Sequence, residues 1–338
     1  MRIAIDAMGG DFAPREIVKG AVEAARGLPG VEKLFLVGNE AAIKAELSLY
    51  GEIPACIEIR HASEVVEMGE SPALALRRKK DSSIMRAVEL VKNGEAEAIY
   101  SAGSTGAAVG ASMLRLRTIE NVDRPAIATV MPSIKGPFVL LDAGATPDCT
   151  SKMLAEFAIM GSIYAEHILD ITNPRVGLMS IGGEDAKGNK NTKEAFPVLE
   201  ESHLNFIGNV ESHDMFEGKV DVVVCDGFVG NVVLKTSEGA AHAIIQWIKE
   251  SFSASPVRKL GAGILKASGA FADLKKKTDS EAYGGAPLLG VKGVCIIGHG
   301  SSSSVAVYNA IRVAGSAIEQ KLNRLIEEKI NEVFKTSE

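Results

Sequence analysis

The chain has 338 residues, 46% hydrophobic and 24% charged, which is ordinary for a globular protein and enough for a large core. Its formal net charge of -6 disfavours a general nucleic-acid binder, because gripping a phosphate backbone needs a basic field. The four cysteines (Cys56, Cys149, Cys225, Cys295) form no CxxC pair, so they read as reduced, mostly buried thiols of a cytosolic protein rather than a zinc or redox site.

The N-terminal apolar stretch is short and broken by Asp6, so no signal peptide is expected. No run of about 18 apolar residues occurs, so no transmembrane helix is expected either. Arg2–Ile5 reads as a buried strand ending at Asp6. Pro14 opens a helix to about Arg26, with Gly27 after its end. Leu34–Val37 and Ala98–Ser101 are further strands, the latter followed by Gly103-Ser-Thr-Gly106 and an Ala-rich helix. Val139–Leu141 leads into Asp142 and a helix through about His167. Val176–Ser180 leads into Ile181-Gly-Gly-Glu-Asp185. Val222–Cys225 leads into a glycine turn and a helix to about Lys249, and Val294–Ile297 into Gly298-His-Gly-Ser-Ser302 and a final helical region.

Strand, glycine turn and helix thus alternate. This predicts an α/β fold built on a doubly wound, mainly parallel sheet with helices on both faces. One unit over 1–338 is expected, with a protruding amphipathic helical segment over 251–280. Ligands of such sheets bind at the carboxyl ends of the strands. Those ends carry Asp6, Ser104, Asp142, Asp185, Asp226 and His299.

Glycine turns that open helices present free backbone N–H groups, and with the helix dipole they attract anions. Ser104, Thr105 and Gly106 make one such candidate, and Gly227 and Gly230 a second; ordinary turns and caps are the alternative. Gly183 and Gly188 have Walker-like spacing, but Asn189-Lys190 stands where Lys-Ser/Thr is required. The Gly298–Ser303 turn lacks the third glycine of the dinucleotide fingerprint. Neither ATP nor NAD is therefore expected, nor any other cofactor. A small anion such as inorganic phosphate fits better.

No G-x-S-x-G elbow and no HExxH occurs. His299 precedes Ser301–Ser304, where a serine cap is as natural as a hydrolase pair. Asp6 and Asp11 flank Gly9-Gly10; two carboxylates do not define a metal site, and capping or a buried hydrogen bond is the simpler reading. Lys187, between Asp185 and Asn189, is either a solvated lysine or an ammonium that holds phosphate as a point charge. Asn231 is either a helix cap or an amide donor to phosphate or an oxyanion.

Eight motifs in order carry a family resemblance: Ile5-Asp-Ala-Met-Gly-Gly-Asp11, Arg78-Lys-Lys-Asp-Ser-Ser83, Ser101-Ala-Gly-Ser-Thr-Gly-Ala107, Asp123-Arg-Pro-Ala126, Glu184-Asp-Ala-Lys-Gly-Asn189, Ile207-Gly-Asn-Val-Glu211, Asp226-Gly-Phe-Val-Gly-Asn231, and Tyr283-Gly-Gly-Ala286 with His299-Gly-Ser-Ser302. The chain resembles the PlsX-type phosphate acyltransferases nearly end to end. The resemblance implies transfer of a fatty acyl chain from acyl carrier protein to inorganic phosphate, the first step toward phospholipid. It also implies a homodimer, a fold similar to the isocitrate and isopropylmalate dehydrogenases, and catalytic roles at Lys187 and Asn231. The pattern is departed from at Phe12, Ser104 and Ser212-His213. Phosphate is already a dianionic nucleophile near neutrality, so the expected tasks are positioning and oxyanion stabilisation. His299 is the candidate proton donor to the leaving thiolate.

Val257, Leu260, Ile264, Ala267, Phe271 and Leu274 recur at spacings of three and four, with Arg258, Lys259, Lys266 and Lys275–Lys277 supplying charge. The simplest reading is an amphipathic helix packed on the core or on a dimer partner. The functional one is a contact for acidic carrier protein or for an anionic membrane at the inner face of the cell. Arg77-Arg-Lys-Lys80 is a further candidate carrier contact. Two competing functions stay open: a phosphotransacylase using acyl-coenzyme A, and a non-catalytic lipid-surface scaffold.

Overall fold

Short runs of Ile, Val and Leu become strands that are buried on both faces, as parallel strands between helix layers must be. The computed structural model describes residues 1–269, 271 and 283–335. β1 (Arg2–Asp6), β2 (Lys33–Gly38), β3 (Ile57–His61), β4 (Ala98–Ser101) and β12 (Val294–Ile297) run parallel. β11 (Ala286–Leu289) lies antiparallel to β12 and to β5 (Ala126–Ile127). The order across this seven-stranded sheet is β3-β2-β1-β4-β12-β11-β5.

A second sheet departs from the expectation of one. β6 (Thr129–Pro132), β7 (Pro137–Leu141), β8 (Val176–Met179), β9 (Phe206–Val210) and β10 (Val222–Val224) form five strands in the order β6-β7-β10-β8-β9. β7, β10, β8 and β9 are parallel, and β6 is antiparallel to β7. The fold is therefore α/β, with two mixed sheets. The physical reason lies in the chain between them. β5 and β6 are separated by Ala128 alone, so the chain leaves one sheet and enters the other within a single residue. Strands of two to four residues carry too little pattern to announce that crossing.

Helices cover the sheets: α1 (Arg15–Gly27), α2 (Glu40–Leu47), α3 (Pro72–Arg78), α4 (Ser83–Lys92) and α5 (Thr105–Arg115) on the first sheet's side of the chain, then α6 (Ser151–Ile168), α7 (Lys190–Glu200) and α8 (Ser212–Glu217). α6 is buried from Leu154 to Ala165. Its Gly161 lies so close to β10 that an added Cβ would stand 2.6 Å from Val222 Cγ1. One apolar cluster runs from the second sheet through α6 to Leu289 of the first and to Leu322, Ile326 and Ile330 of the C-terminal helix.

α9 (Gly227–Ser253) and α10 (Pro256–Ala267) stand apart. Beyond Gly230 no residue of α9 is buried, and none of α10 is. Ile244, Trp247, Ile248, Val257, Leu260 and Ile264 are all exposed. The break between the helices falls at Ala254-Ser255, where the Ser255 hydroxyl caps α10 by accepting the Arg258 N–H. Phe271 turns its ring edge-on to Phe252, with centroids 5.9 Å apart. Lys275 and the rest of that predicted face beyond Phe271 lie outside the described residues. No described helix is long and apolar enough to cross a membrane.

Candidate active site at the strand ends

The first group of turns follows β1, β4 and β12, which are neighbours. Asp6 ends β1 and is 3% exposed. Its Oδ2 accepts the Ser101 hydroxyl at 2.7 Å and its Oδ1 the Met8 N–H at 3.3 Å. Burial raises its carboxyl above the usual range, against opposing hydrogen bonds from Ser83, Ser101, Met8 and Gly9. A Cβ on Gly9 would stand 2.7 Å from Asp6 Oδ2 and 2.7 Å from the Gly103 nitrogen, so only glycine lets the two turns meet there. Gly10 and Asp11 continue the turn, and the Asp11 N–H donates to the Gly300 carbonyl at 2.8 Å. Asp6, Gly9, Gly10, Asp11, Ser101 and the His299 turn are thus brought together.

Ser104 caps α5, its hydroxyl accepting the Ala107 N–H at 3.4 Å. Thr105 and Gly106 are the first helical residues, exposed at the helix mouth. Gly106 also lets Pro72 of α3 come close, since a Cβ would stand 2.7 Å from Pro72 Cγ. His299 is exposed, with Nδ1 2.7 Å from the Ser301 hydroxyl. The Ser301 N–H also donates to Nδ1, at 3.2 Å. A nitrogen that accepts an N–H carries no proton, so the neutral ring holds its proton on Nε2.

The second group follows β7, β10 and β8, again neighbours. Asp142 is fully buried. Oδ1 accepts the N–H groups of Ile127, Gly144 and Ala145 at 2.8, 3.0 and 3.0 Å, and Oδ2 that of Thr146 at 2.6 Å. This carboxylate therefore shapes the loop on which α9 lands. A Cβ on Gly227 would lie 2.5 Å from Asp142 Oδ2, and one on Gly230 would lie 1.8 Å from the Asp142 carbonyl oxygen. The Gly227 N–H donates to the Thr146 carbonyl at 2.9 Å, and the Gly230 N–H to Asp226 within the helix. The Asp226 carboxylate takes the Val229 N–H at 2.8 Å. The α9 mouth is thus closed by a carboxylate, whereas the α5 mouth is capped by an uncharged hydroxyl. These two glycines serve close packing. Asn231, one residue further, is exposed, its side chain lying over Gly144.

Lys187 stands exposed in the turn after β8, its N–H donating to the Glu184 carbonyl at 2.9 Å and its stem lying along Gly182. Asn189 caps α7 through its Oδ1, which accepts the Thr192 N–H at 2.9 Å. The Asn191 amide donates to the Cys149 carbonyl at 2.7 Å, tying the Lys187 turn to the loop beside Thr146 and Gly227. Asp185 points elsewhere, lining a cavity of about 410 Å³ with Phe196, Glu200 and Phe206. The two groups of turns are linked by an apolar cluster that joins α5 residues Ala107 and Ala108 to Ala143, Ala145 and Leu234 of α9. Burial pushes the Cys149 thiol up to about 12 and that of Cys295 to about 11, so neither is a thiolate nucleophile near neutrality. Among the described residues no three His, Cys, Asp or Glu side chains converge to hold a metal ion.

A family model described as fatty acid synthesis protein matches residues 1–325. The phosphate acyltransferase of Desulfitobacterium hafniense (strain DSM 10664 / DCB-2) is 55% identical over 321 residues, 94% of each chain. That of Pelotomaculum thermopropionicum is 52% identical over 328 residues, 97% of this chain and 94% of the relative. The chain belongs to this fatty acid synthesis family of phosphate acyltransferases. It is an acyltransferase with phosphate as acceptor.

Solved structures of similar fold include a phosphotransacetylase from Streptococcus pyogenes (TM-score 0.62, 18% identity, 94% of each chain covered). A 4-hydroxythreonine-4-phosphate dehydrogenase from Klebsiella pneumoniae is more distant (TM-score 0.50, 15% identity, 93% of this chain and 98% of the other). At such identity the likeness is one of fold. Within the acyltransferase, sequence reasoning marked Asp142 as a strand-end residue but not as the organiser of the α9 landing loop. It counted Ser101 in the candidate anion turn, but not as the link from that turn to Asp6. An aspartate followed by Ala-Gly-Ala at a strand end is the signal that could have flagged the first.

Proposed function

We propose that this acyltransferase works as one catalytic unit and takes its fatty acyl group from acyl carrier protein, the reacting groups meeting at the strand ends. The contrast between the two helix mouths carries the reading. α5 opens with Ser104, Thr105 and Gly106 and no carboxylate, while Asp226 occupies the α9 mouth. Inorganic phosphate belongs at the first, where unpaired N–H groups and the helix dipole act together. Lys187 supplies the point charge. Asn231 donates to the thioester carbonyl as it becomes an oxyanion.

A phosphate oxygen attacks the thioester carbon and the C–O bond forms. Collapse of the tetrahedral oxyanion breaks the C–S bond. His299, as imidazolium, protonates the departing sulfur from Nε2, and the neutral ring recovers that proton from the phosphate hydroxyl, which leaves the acyl phosphate ionised. No general base of unusual strength is required. The exposed α9–α10 pair, with Arg258, Lys259, Ile264 and Lys266, is the surface we assign to carrier protein, an anionic membrane or the second copy of a homodimer.

Thiol release from palmitoyl-acyl carrier protein, with and without phosphate, tests the assignment. Phosphate-dependent release with an acyl phosphate trapped by hydroxylamine is expected. Release from acyl-coenzyme A alone would replace the carrier-protein donor, and release from neither would reject the donor assignment altogether.

A further inference from the structure

Asp6 cannot touch a substrate, since it is buried beneath Gly9 and Gly103. It nevertheless receives donors from turns on two adjacent strands, Met8 on one side and Ser101 on the other. The Ser101 hydroxyl has one proton, and Asp6 takes it at 2.7 Å. The hydroxyl oxygen is thereby turned to accept the Gly103 N–H at 3.2 Å, one residue before the cap of α5. A bare carboxylate under an anion site would oppose phosphate, but this one is shared among several donors and its charge is disfavoured by burial.

We infer that Asp6 is a positioning residue for the acceptor phosphate: through the Ser101 hydroxyl it fixes the Gly103 N–H and so aims the N–H groups of Thr105 and Gly106 at the bound anion. The inference rests on the assignment of phosphate to the α5 mouth. In it, the relay runs from a buried carboxylate through one hydroxyl to the backbone of the turn. No member of the relay touches phosphate. The contacts that bind phosphate come from the next three residues.

Steady-state kinetics of the full chain with acyl-carrier-protein thioester test it. Ser101→Ala frees the Gly103 N–H without adding bulk. It should raise the KM for phosphate roughly tenfold, the scale of losing a charge-linked hydrogen bond, with kcat and the thioester KM within about twofold. Asp6→Asn, nearly isosteric, should move the same parameter in the same direction and serves if Ser101→Ala does not fold. A third variant, Ser104→Asp, keeps a good helix cap but sets a charge at the α5 mouth. If Ser104→Asp raises the phosphate KM while Ser101→Ala and Asp6→Asn leave it unchanged, the relay is wrong and the phosphate site stands. If kcat and both KM values fall or rise together with the melting temperature, Asp6 is structural only. An unchanged phosphate KM in Ser104→Asp rejects the phosphate site itself, and the relay with it.

Discussion

Lys187, in the turn after β8, and Asn231, near the start of α9 after the neighbouring strand β10, are exposed side chains, so neither is needed to hold the core. Lys187→Ala should therefore lower turnover about a hundredfold, the scale of losing one electrostatic contact to the transition state, with an unchanged melting temperature. Activity assays beside a thermal melt separate that outcome from a folding defect; near-normal turnover would reject the role. Both residues were legible as candidates, Lys187 within a polar turn after a strand and Asn231 at the end of a glycine turn, and the family resemblance pointed to both. Gly227 and Gly230 read in the sequence as a second anion-binding turn, with an ordinary turn as the alternative. Their N–H groups are engaged, and it is the missing side chain that matters, because Asp142 fills the place where a Cβ would go.

At the scale of the element, Gly230 and the α10 face make opposite predictions. Gly230→Ala would set a Cβ 1.8 Å from the Asp142 carbonyl oxygen and 3.0 Å from Cys225 Sγ. Overpacking of this kind costs about 1–3 kcal/mol or more, so denaturant unfolding should show a clear loss of stability. The α10 face is the reverse case, since Leu260 and Ile264 are 68% and 63% exposed and stabilise nothing within the described chain. Each is worth roughly 1.5–3 kcal/mol if it becomes buried in a lipid surface. Leu260→Asp combined with Ile264→Asp should reduce co-sedimentation with anionic vesicles at least tenfold while the melting temperature holds. Retained vesicle binding would remove the membrane assignment. The three-and-four spacing exposed this face in the sequence. The sequence also ended one helix near Lys249 and began another pattern at Val257; the structure carries the first helix on to Ser253 and fixes the break by the extended backbone of Ser255, whose hydroxyl caps α10.

Across the whole molecule, Glu156 binds parts that are far apart in the chain. It lies in the core helix α6, fully buried, and its Oε2 accepts the Asp123 N–H at 2.9 Å. Lys152 Nζ stands 3.0 Å from Oε1 and 5.7 Å from the ring centre of Phe334 near the C-terminus. Burial pushes the Glu156 carboxyl up to about 7 from an ordinary 4.5, against the opposing hydrogen bonds. The folded state thus holds a proton that the unfolded state has released. Its contribution to stability is full below about 4.5, falls as pH rises, and is lost above about 7. Melting temperatures measured from pH 5 to pH 8 should fall in the native chain by a component that Glu156→Gln lacks. Parallel curves for the two proteins would show that Glu156 titrates normally.

The sequence by itself determined the α/β class, the alternation of strand, glycine turn and helix, the membership in a phosphate acyltransferase family and the strand-end address of the candidate site. These are local or near-local signals: hydrophobic periodicity, helix caps and motifs of five to seven residues. The tertiary structure alone decided that the strands divide into two sheets, because the pairing of β4 with β12, or of β7 with β10, depends on partners that no short window contains. It also decided how the turns before α5 and α9 are held, on which the proposed placing of phosphate rests. Asp142 holds the loop on which α9 lands, and Asp6, through Ser101, holds the turn before α5. Hydrogen bonds between residues as much as 95 positions apart settle it, and a linear chain does not display them.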